Sequence, residues 1–385
     1  MSTGFFRSRW VDPPADTALL DPGDLPEGFR AGGVAAGLKP DGGPDLGGIV
    51  CDAESVTSAI LLTDNAAAAA PVQLCRNDLD GSAIRAAVVN SGNANAATGE
   101  QGLADARAFR DGFASGLGLA PNLVAVAETG VIGVPLQLGK LEAALPSLFE
   151  SLSDSDAAGF TEAIMTTDRW PKSCTAELDG VTLSAQAKGA GMIQPGFATM
   201  LCFIQTDAVI PEPAELLRSS VAESFERVTV DGQSSTNDTV LLQASGASGR
   251  ELPNGLLEAV TLQLALEIVA DGEGAERVGR VEVRGAASVT EAEAVARGIA
   301  NSLLVKTALF GRDPNWGRIV QAAGTVLAGE DLTHLGPDSV EADELGEDGS
   351  EVEIAIDLAR GDESRHCYFS DLGHGYVEIN AEYTT

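Results

Sequence analysis

Lysine is nearly missing from this 385-residue chain, which carries it only at Lys39, Lys140, Lys172, Lys188 and Lys306. Arginine does not make up the deficit: Lys and Arg together number 24 against 57 Asp and Glu, a formal net charge of -33. A field of that sign repels phosphate backbones and anionic lipid surfaces, which argues against nucleic-acid and membrane partners. Two explanations of the acidity compete, a surface suited to a high-salt cytoplasm and an acidic, Arg-preferring proteome. The first is the working hypothesis, so the unfolding temperature is expected to rise in molar salt; no gain would count against it.

Other scarcities exclude other chemistries. The five cysteines, Cys51, Cys75, Cys174, Cys202 and Cys367, are odd in number and far apart with no CxxC pair, as expected of reduced thiols in a cytoplasmic protein. The three histidines, His334, His366 and His374, fall late and match no zinc spacing, so no metal site is indicated. Arg7 and Arg9 near the N-terminus precede no apolar h-region, and no apolar run is long enough to span a bilayer. There is no GxSxG elbow and no P-loop. Aromatics make up only 5% of the chain, whereas hydrophobic residues make up 44% and glycine occurs 44 times. Such a core is built from small and branched aliphatic side chains with backbones in close approach.

The periodicity is that of a layered α/β protein. Residues 1–25, rich in Pro and Asp, read as a flexible N-terminal arm. Buried strands are predicted over Arg85–Asn90, Leu123–Ala127 and Val181–Ala187, and from Thr199 to Thr206. Helices are predicted over Gln101–Leu117, Pro213–Arg227 and Leu256–Val269, with Thr290 and Glu293 as a capping box for a further helix running towards Lys306. The tail from Tyr376 reads as an apolar strand docked on the body.

The chain is organised around Ala187-Lys188-Gly189-Ala190-Gly191-Met192-Ile193-Gln194-Pro195-Gly196-Phe197-Ala198-Thr199-Met200-Leu201. Three glycines and a proline make the first half a loop, and the apolar run after Thr199 makes the second half a strand. A small hydroxyl residue thus stands where a loop enters rigid structure. A threonine hydroxyl is a weak nucleophile unless a base lies beside it, and one such base is the residue's own free α-amine. With an unperturbed pKa of about 7.7–8, that amine is substantially neutral near pH 7. It exists only if the chain is cut before the threonine.

Further polar clusters punctuate the strands. Ser91–Gly99 follows a strand directly, as site loops do, although an ordinary Asn/Gly turn fits the spacing nearly as well. Glu128-Thr129-Gly130 ends another strand, where a hydroxyl and the next backbone N–H can aim at one oxyanion. Thr166-Thr167-Asp168 reads on its own as a helix or turn cap. Lys188 is either solvated or placed to meet a carboxylate. Glu273, between two glycines at a helix end, can face a cationic ligand.

The central stretch, NSGNANA, the Thr-Gly pair, MTTD, DG-STNDT and Gly311-Arg312-Asp313-Pro314-Asn315-Trp316 occur in an order that resembles the ornithine acetyltransferase (glutamate N-acetyltransferase) family, from about Pro26 to Thr385. The resemblance implies an αββα sandwich, self-cleavage at Ala198-Thr199, an α chain of residues 26–198, a β chain of 199–385, and an α2β2 heterotetramer. It makes Thr199 the nucleophile, Thr129 and Gly130 the oxyanion hole, and Thr166, Lys188, Thr199, Glu273, Asn380 and Thr385 the substrate contacts. It implies acetyl transfer from N2-acetyl-L-ornithine to L-glutamate without a cofactor, with acetyl-CoA a second donor in some relatives. Where the family has a small residue before the Thr-Gly pair this chain has Glu128, whose carboxylate either sits outside the hole or tunes it. The Arg312, Asp313 and Asn315 side chains are expected to clasp their loop near the site. The competing readings are a self-cleaving amidase or aminopeptidase, a secondary-metabolism acyltransferase, and an uncut scaffold protein.

Overall fold

Alternation of short Val/Ala/Leu-rich runs with amphipathic segments folds into three sheets with helices packed on them. The computed structural model describes residues 4–194, 200–313, 315–345 and 349–382. The largest sheet has six strands in the order Ala18–Leu19, Lys172–Leu178, Val181–Lys188, Leu201–Thr206, Thr239–Ala244, Thr57–Leu62. Strand Leu201–Thr206 runs antiparallel to Val181–Lys188, with Lys188 opposite Leu201, and parallel to Thr239–Ala244, with Thr239 opposite Leu201. Residues from both sides of the central loop therefore share one ladder.

A second sheet has the order Phe29–Val34, Leu46–Cys51, Ala86–Asn93, Val124–Val131, its last two strands parallel. Leu201, Phe203 and Leu241 of the large sheet share a core with this one, and Phe160 meets Phe203 edge-on at 5.2 Å between ring centres. The other face of the large sheet packs on helices Pro213–Ala222 and Leu256–Ala270. The second of these has a nearly continuous apolar sequence and is buried all round, so it needs no polar stripe. The third sheet pairs Val278–Ala286 with Glu351–Asp357 and Glu363–Ser370 and carries helices Val289–Ala300 and Trp316–Val326 on its own core.

Three expectations are corrected. Residues 4–25 are not a free arm: Leu20 N–H donates to Thr175 O at 2.9 Å, Trp10 Nε1 donates to Glu353 Oε2 at 2.8 Å, and Arg7 pairs with Glu267. Trp10, Phe5 and Phe6 pack on the core, and this apolar burial outweighs the Pro and Asp content that suggested an arm. The tail is a helix, His374–Glu382, not a strand. The helix after Ala286 is capped two residues earlier than expected: Ser288 Oγ accepts Glu291 N–H and Glu291 Oε1 accepts Ala287 N–H. That helix ends at Ala300, and a separate one, Leu303–Phe310, follows.

Among the described residues no helix is long and apolar enough to cross a membrane. All five cysteines are buried free thiols.

Candidate active site

One cavity of about 160 Å³ collects Thr129, Gly130, Thr166, Lys188, Glu273 and Asn380, six residues from five separate stretches of the sequence. Ala198, Thr199 and Thr385 lie outside the described residues. The cavity opens where strands Val124–Val131 and Val181–Lys188 end, so Thr129, Gly130 and Lys188 come from strands, Asn380 from helix His374–Glu382, and Thr166 and Glu273 from turns that follow helices.

Thr129 and Gly130 stand where the parallel pairing with Ala86–Asn93 loses register, at Gly92 and Asn93. Gly130 has φ +132°, and a Cβ there would lie 2.3 Å from the carbonyl carbon of Gly92. Only glycine fits such a backbone contact, so the turn is fixed by the residue type. Lys188 is 2% exposed and its Nζ donates to Thr129 Oγ1 at 3.2 Å. An ammonium can only donate, so Thr129 accepts from it and keeps its own hydroxyl proton for another oxygen. Burial lowers the Lys188 pKa, against the pull of Asp168.

Beneath Lys188 lies a buried row of alternating charges. Asp168 Oδ1 accepts from Lys172 Nζ and from Gly189 N–H, both at 2.7 Å, and its Oδ2 accepts Thr166 N–H at 3.0 Å. Lys172 also reaches Asp271 Oδ2 at 2.5 Å, and Asp271 Oδ1 accepts Arg169 Nε at 2.8 Å. Burial alone would raise the Asp168 pKa, but Lys172, Lys188 and the Gly189 amide together hold it down at about 2. Asp168 thus fixes Thr166 and the start of the central loop at once. The sequence signal was present in Thr166-Thr167-Asp168 and in Lys172 four residues on, but nothing in the spacing announced the partner Asp271.

The opposite wall is held by the turn after helix Leu256–Ala270. Glu273 N–H donates to Ala190 O at 2.8 Å, and Asn380 Nδ2 donates to Glu273 Oε2 at 2.7 Å. The tail helix therefore brings Asn380 to the carboxylate. Asp231, which sequence reasoning did not single out, accepts Met192 N–H at 2.6 Å and Ile193 N–H at 2.9 Å, and Tyr376 donates to it at 3.3 Å. The arrangement offers a cation, a carboxylate and a hydroxyl–amide pair around one small space. That suits a zwitterionic amino acid whose acyl carbonyl points at Thr129 and Gly130.

Glu128 does not line the cavity. Its side chain is fully buried on the other face of the strand, with Oε1 accepting Asn95 Nδ2 at 2.9 Å and Oε2 without a partner among the described residues. Its backbone carbonyl accepts Asn237 Nδ2 at 2.8 Å, which also donates to Ala94 O. Burial pushes its carboxyl up to about 8, in spite of the Asn95 hydrogen bond. A raised carboxyl binds a proton in the folded state that the unfolded chain has released, so its contribution to stability is complete below the ordinary value of about 4.3 and is lost as pH rises through about 8. Glu128→Gln is expected to gain on the parent by roughly 2–5 kcal/mol between pH 5 and pH 8. Urea unfolding at both pH values checks this; curves that move in parallel would show that Glu128 is ionised in the fold.

The Gly311–Trp316 motif holds itself together, with Asn315 Nδ2 donating to Asp313 Oδ2 at 2.9 Å and Asn315 Oδ1 accepting Arg318 N–H at 3.2 Å. It does not border the cavity, however. Arg312, Asp313 and Asn315 line a separate, more apolar cleft with Val305, Leu309 and Ile354.

Comparison with known proteins adds the following. A sequence model described as the ArgJ family matches residues 30–385. The arginine biosynthesis bifunctional protein ArgJ of Thermus thermophilus is 44% identical over 384 residues, covering 94% of this chain and 99% of the relative. A glutamate N-acetyltransferase of Methanothermobacter thermautotrophicus is 42% identical, covering 86% of this chain and 90% of the relative. A solved ornithine acetyltransferase of Mycobacterium tuberculosis, complexed with ornithine, is 36% identical over 46% of this chain and 98% of that one, with a TM-score of 0.45.

Proposed function

We propose, from the premise that this chain belongs to the ArgJ family, that it is a glutamate N-acetyltransferase of arginine biosynthesis that carries acetyl from N2-acetyl-L-ornithine to L-glutamate through acetyl-Thr199. The observation that carries the reading is the convergence of Thr129, Gly130, Thr166, Lys188, Glu273 and Asn380 on one cavity. Cleavage of the Ala198-Thr199 bond releases the Thr199 amine. That amine takes the hydroxyl proton as Oγ attacks the acetyl carbonyl, and the oxyanion is held by the Thr129 hydroxyl and the Gly130 N–H. The tetrahedral adduct collapses, the proton leaves with the ornithine amine, and the acetyl group stays on Thr199. Glutamate then attacks the ester with its amine and the steps run in reverse.

Lys188 meets the substrate carboxylate in this reading, and Glu273 with Asn380 meets the cationic side chain of ornithine. Thr166 and Thr385 complete the contacts. The two chains after cleavage, residues 1–198 and 199–385, form an αββα unit that pairs into α2β2. No cofactor is required, and acetyl-CoA as an additional donor belongs to the same proposal.

The test is intact mass under denaturing conditions followed by a transfer assay. Two fragments, the second beginning at Thr199, and glutamate-dependent consumption of acetylornithine are expected. Consumption without glutamate would favour a hydrolase, and one uncut chain without activity would favour a scaffold.

A further inference from the structure

Five consecutive alanines, Ala66–Ala70, lead into helix Ala70–Asp78, and Ala94, Ala96 and Ala97 follow strand Ala86–Asn93. Backbone bonds tie these turns to each other and to the walls of the catalytic cavity. Ala70 N–H donates to Asn95 O at 3.2 Å, and Ala69 N–H to Thr236 O, Ala94 N–H to Val131 O and Gly133 N–H to Ala96 O, each at 2.9 Å. Methyl side chains do not fill the space between turns held in this way, and a trough of about 310 Å³ runs between them. Ala66, Ala67 and Ala97 along it are exposed, whereas Ala68, Ala70 and Ala96 are buried, so it is open to solvent on one side. Ile132 and Thr236 line both the trough and the catalytic cavity, and the two spaces therefore adjoin. Ile132 stands two residues after Gly130 and packs with Ala69, Ala94 and Ala96 in a small apolar cluster separate from the three main cores. Ala94 also lines the catalytic cavity, so an apolar floor passes from beside the Thr129–Gly130 pair into the trough. Among the described residues none that lines the trough is charged, and Lys188, Glu273 and Asn380 line only the catalytic cavity.

We propose that the trough is an acyl-chain subsite, through which the enzyme transfers straight aliphatic acyl groups longer than acetyl, such as butanoyl and hexanoyl. This rests on the reading of the cavity as the site of acyl transfer between amino acids. With the acyl carbonyl at Thr129 and Gly130 and the amino-acid end at Lys188 and Glu273, the remaining substituent of the carbonyl carbon is the acyl chain. The apolar walls beside that pair, Ala94 and Ile132, lead it into the trough. An uncharged, alanine-lined passage suits methylenes and offers nothing to an ionic group. The bonds made and broken stay the same: the amide C–N bond of the acylornithine breaks, its acyl carbon ends on the glutamate amine, and the proton displaced from that amine ends on ornithine.

The test compares N2-acetyl-, N2-butanoyl- and N2-hexanoyl-L-ornithine as donors to glutamate. For both longer donors kcat/KM is expected to stay within about tenfold of the acetyl value or to exceed it, because methylenes laid on the apolar floor are favourably buried. A fall of more than about tenfold for either donor overturns the proposal, being the result of a pocket closed behind the acetyl methyl. Ala67→Trp sets a ring over the exposed side of the trough, at a residue that does not line the catalytic cavity. It should lower the hexanoyl-to-acetyl ratio of kcat/KM by about tenfold or more, and a folded variant that keeps the parent's ratio also overturns the proposal. The donor series on the parent needs no variant to fold. A parent that does not transfer acetyl fails the reading of the site itself, and the first donor alone reveals it.

Discussion

Thr199→Ala is expected to give a single 385-residue chain with no detectable acetyl transfer, while the melting temperature stays within a few degrees of that of the parent. Both losses have one cause. Without Oγ the peptide bond before residue 199 has no internal nucleophile, and without a free amine beside a hydroxyl there is no base to activate an attack on acetylornithine. Thr199→Ser is the informative companion, because it keeps the hydroxyl and should restore cutting and at least part of the transfer rate. Mass and activity are read on the same preparation. An uncut Thr199→Ala protein that still transfers acetyl would remove the mechanism, and a cut one would move the scissile bond elsewhere.

Thr129→Ala should slow transfer by 10²- to 10³-fold in kcat, about 3 kcal/mol, with KM little changed. Lys188 Nζ donates to Thr129 Oγ1 at 3.2 Å, which turns the hydroxyl proton away from the lysine and leaves it for the oxyanion. Removing the hydroxyl loses that donor and also leaves a buried ammonium short of one acceptor, so a smaller loss of stability should accompany the loss of rate. Thr129→Ser keeps both bonds and should keep most of the rate. If Thr129→Ala matches the parent in kcat, the residue only shapes the turn.

Much of this was legible because the sequence states it in patterns that need no tertiary knowledge. The helix expected over Gln101–Leu117 spans Gly99–Leu117, and the strand expected over Val181–Ala187 spans Val181–Lys188. Each is set by local periodicity. Thr129, Gly130, Thr166, Lys188, Glu273 and Asn380 could be named together only because their motifs resemble those of a known family, and the fold brings them to one cavity. What stayed hidden depends on partners far away in sequence. The N-terminal segment looks disordered until Glu267, Gln263 and Glu353 are present to receive it. The tail looks like a strand because Val377 and Ile379 alternate with polar residues, yet Tyr376 and Asn380 meet Asp231 and Glu273 only when it is helical. In the buried row Asp168, Lys172, Asp271 the first pair is four residues apart, but Lys172 and Asp271 are 99 apart, and no local rule reaches that far.

The order of strands in the large sheet bears on how such a protein is made. Leu201–Thr206 and Thr239–Ala244 lie side by side, flanked by Val181–Lys188 on one edge and Thr57–Leu62 on the other. A cut between residues 198 and 199 would therefore leave two polypeptides clamped through both flanking ladders, with no route to separation short of unfolding. Synthesis as one chain makes that assembly a unimolecular search, whereas reassembly from the cut pieces would be second order in protein concentration and exposed to aggregation. A mature preparation unfolded in denaturant and diluted should thus regain its sheet slowly or not at all, although its uncut precursor refolds. Its persistence in service would be governed by the rate of unfolding and not by an equilibrium with the unfolded state.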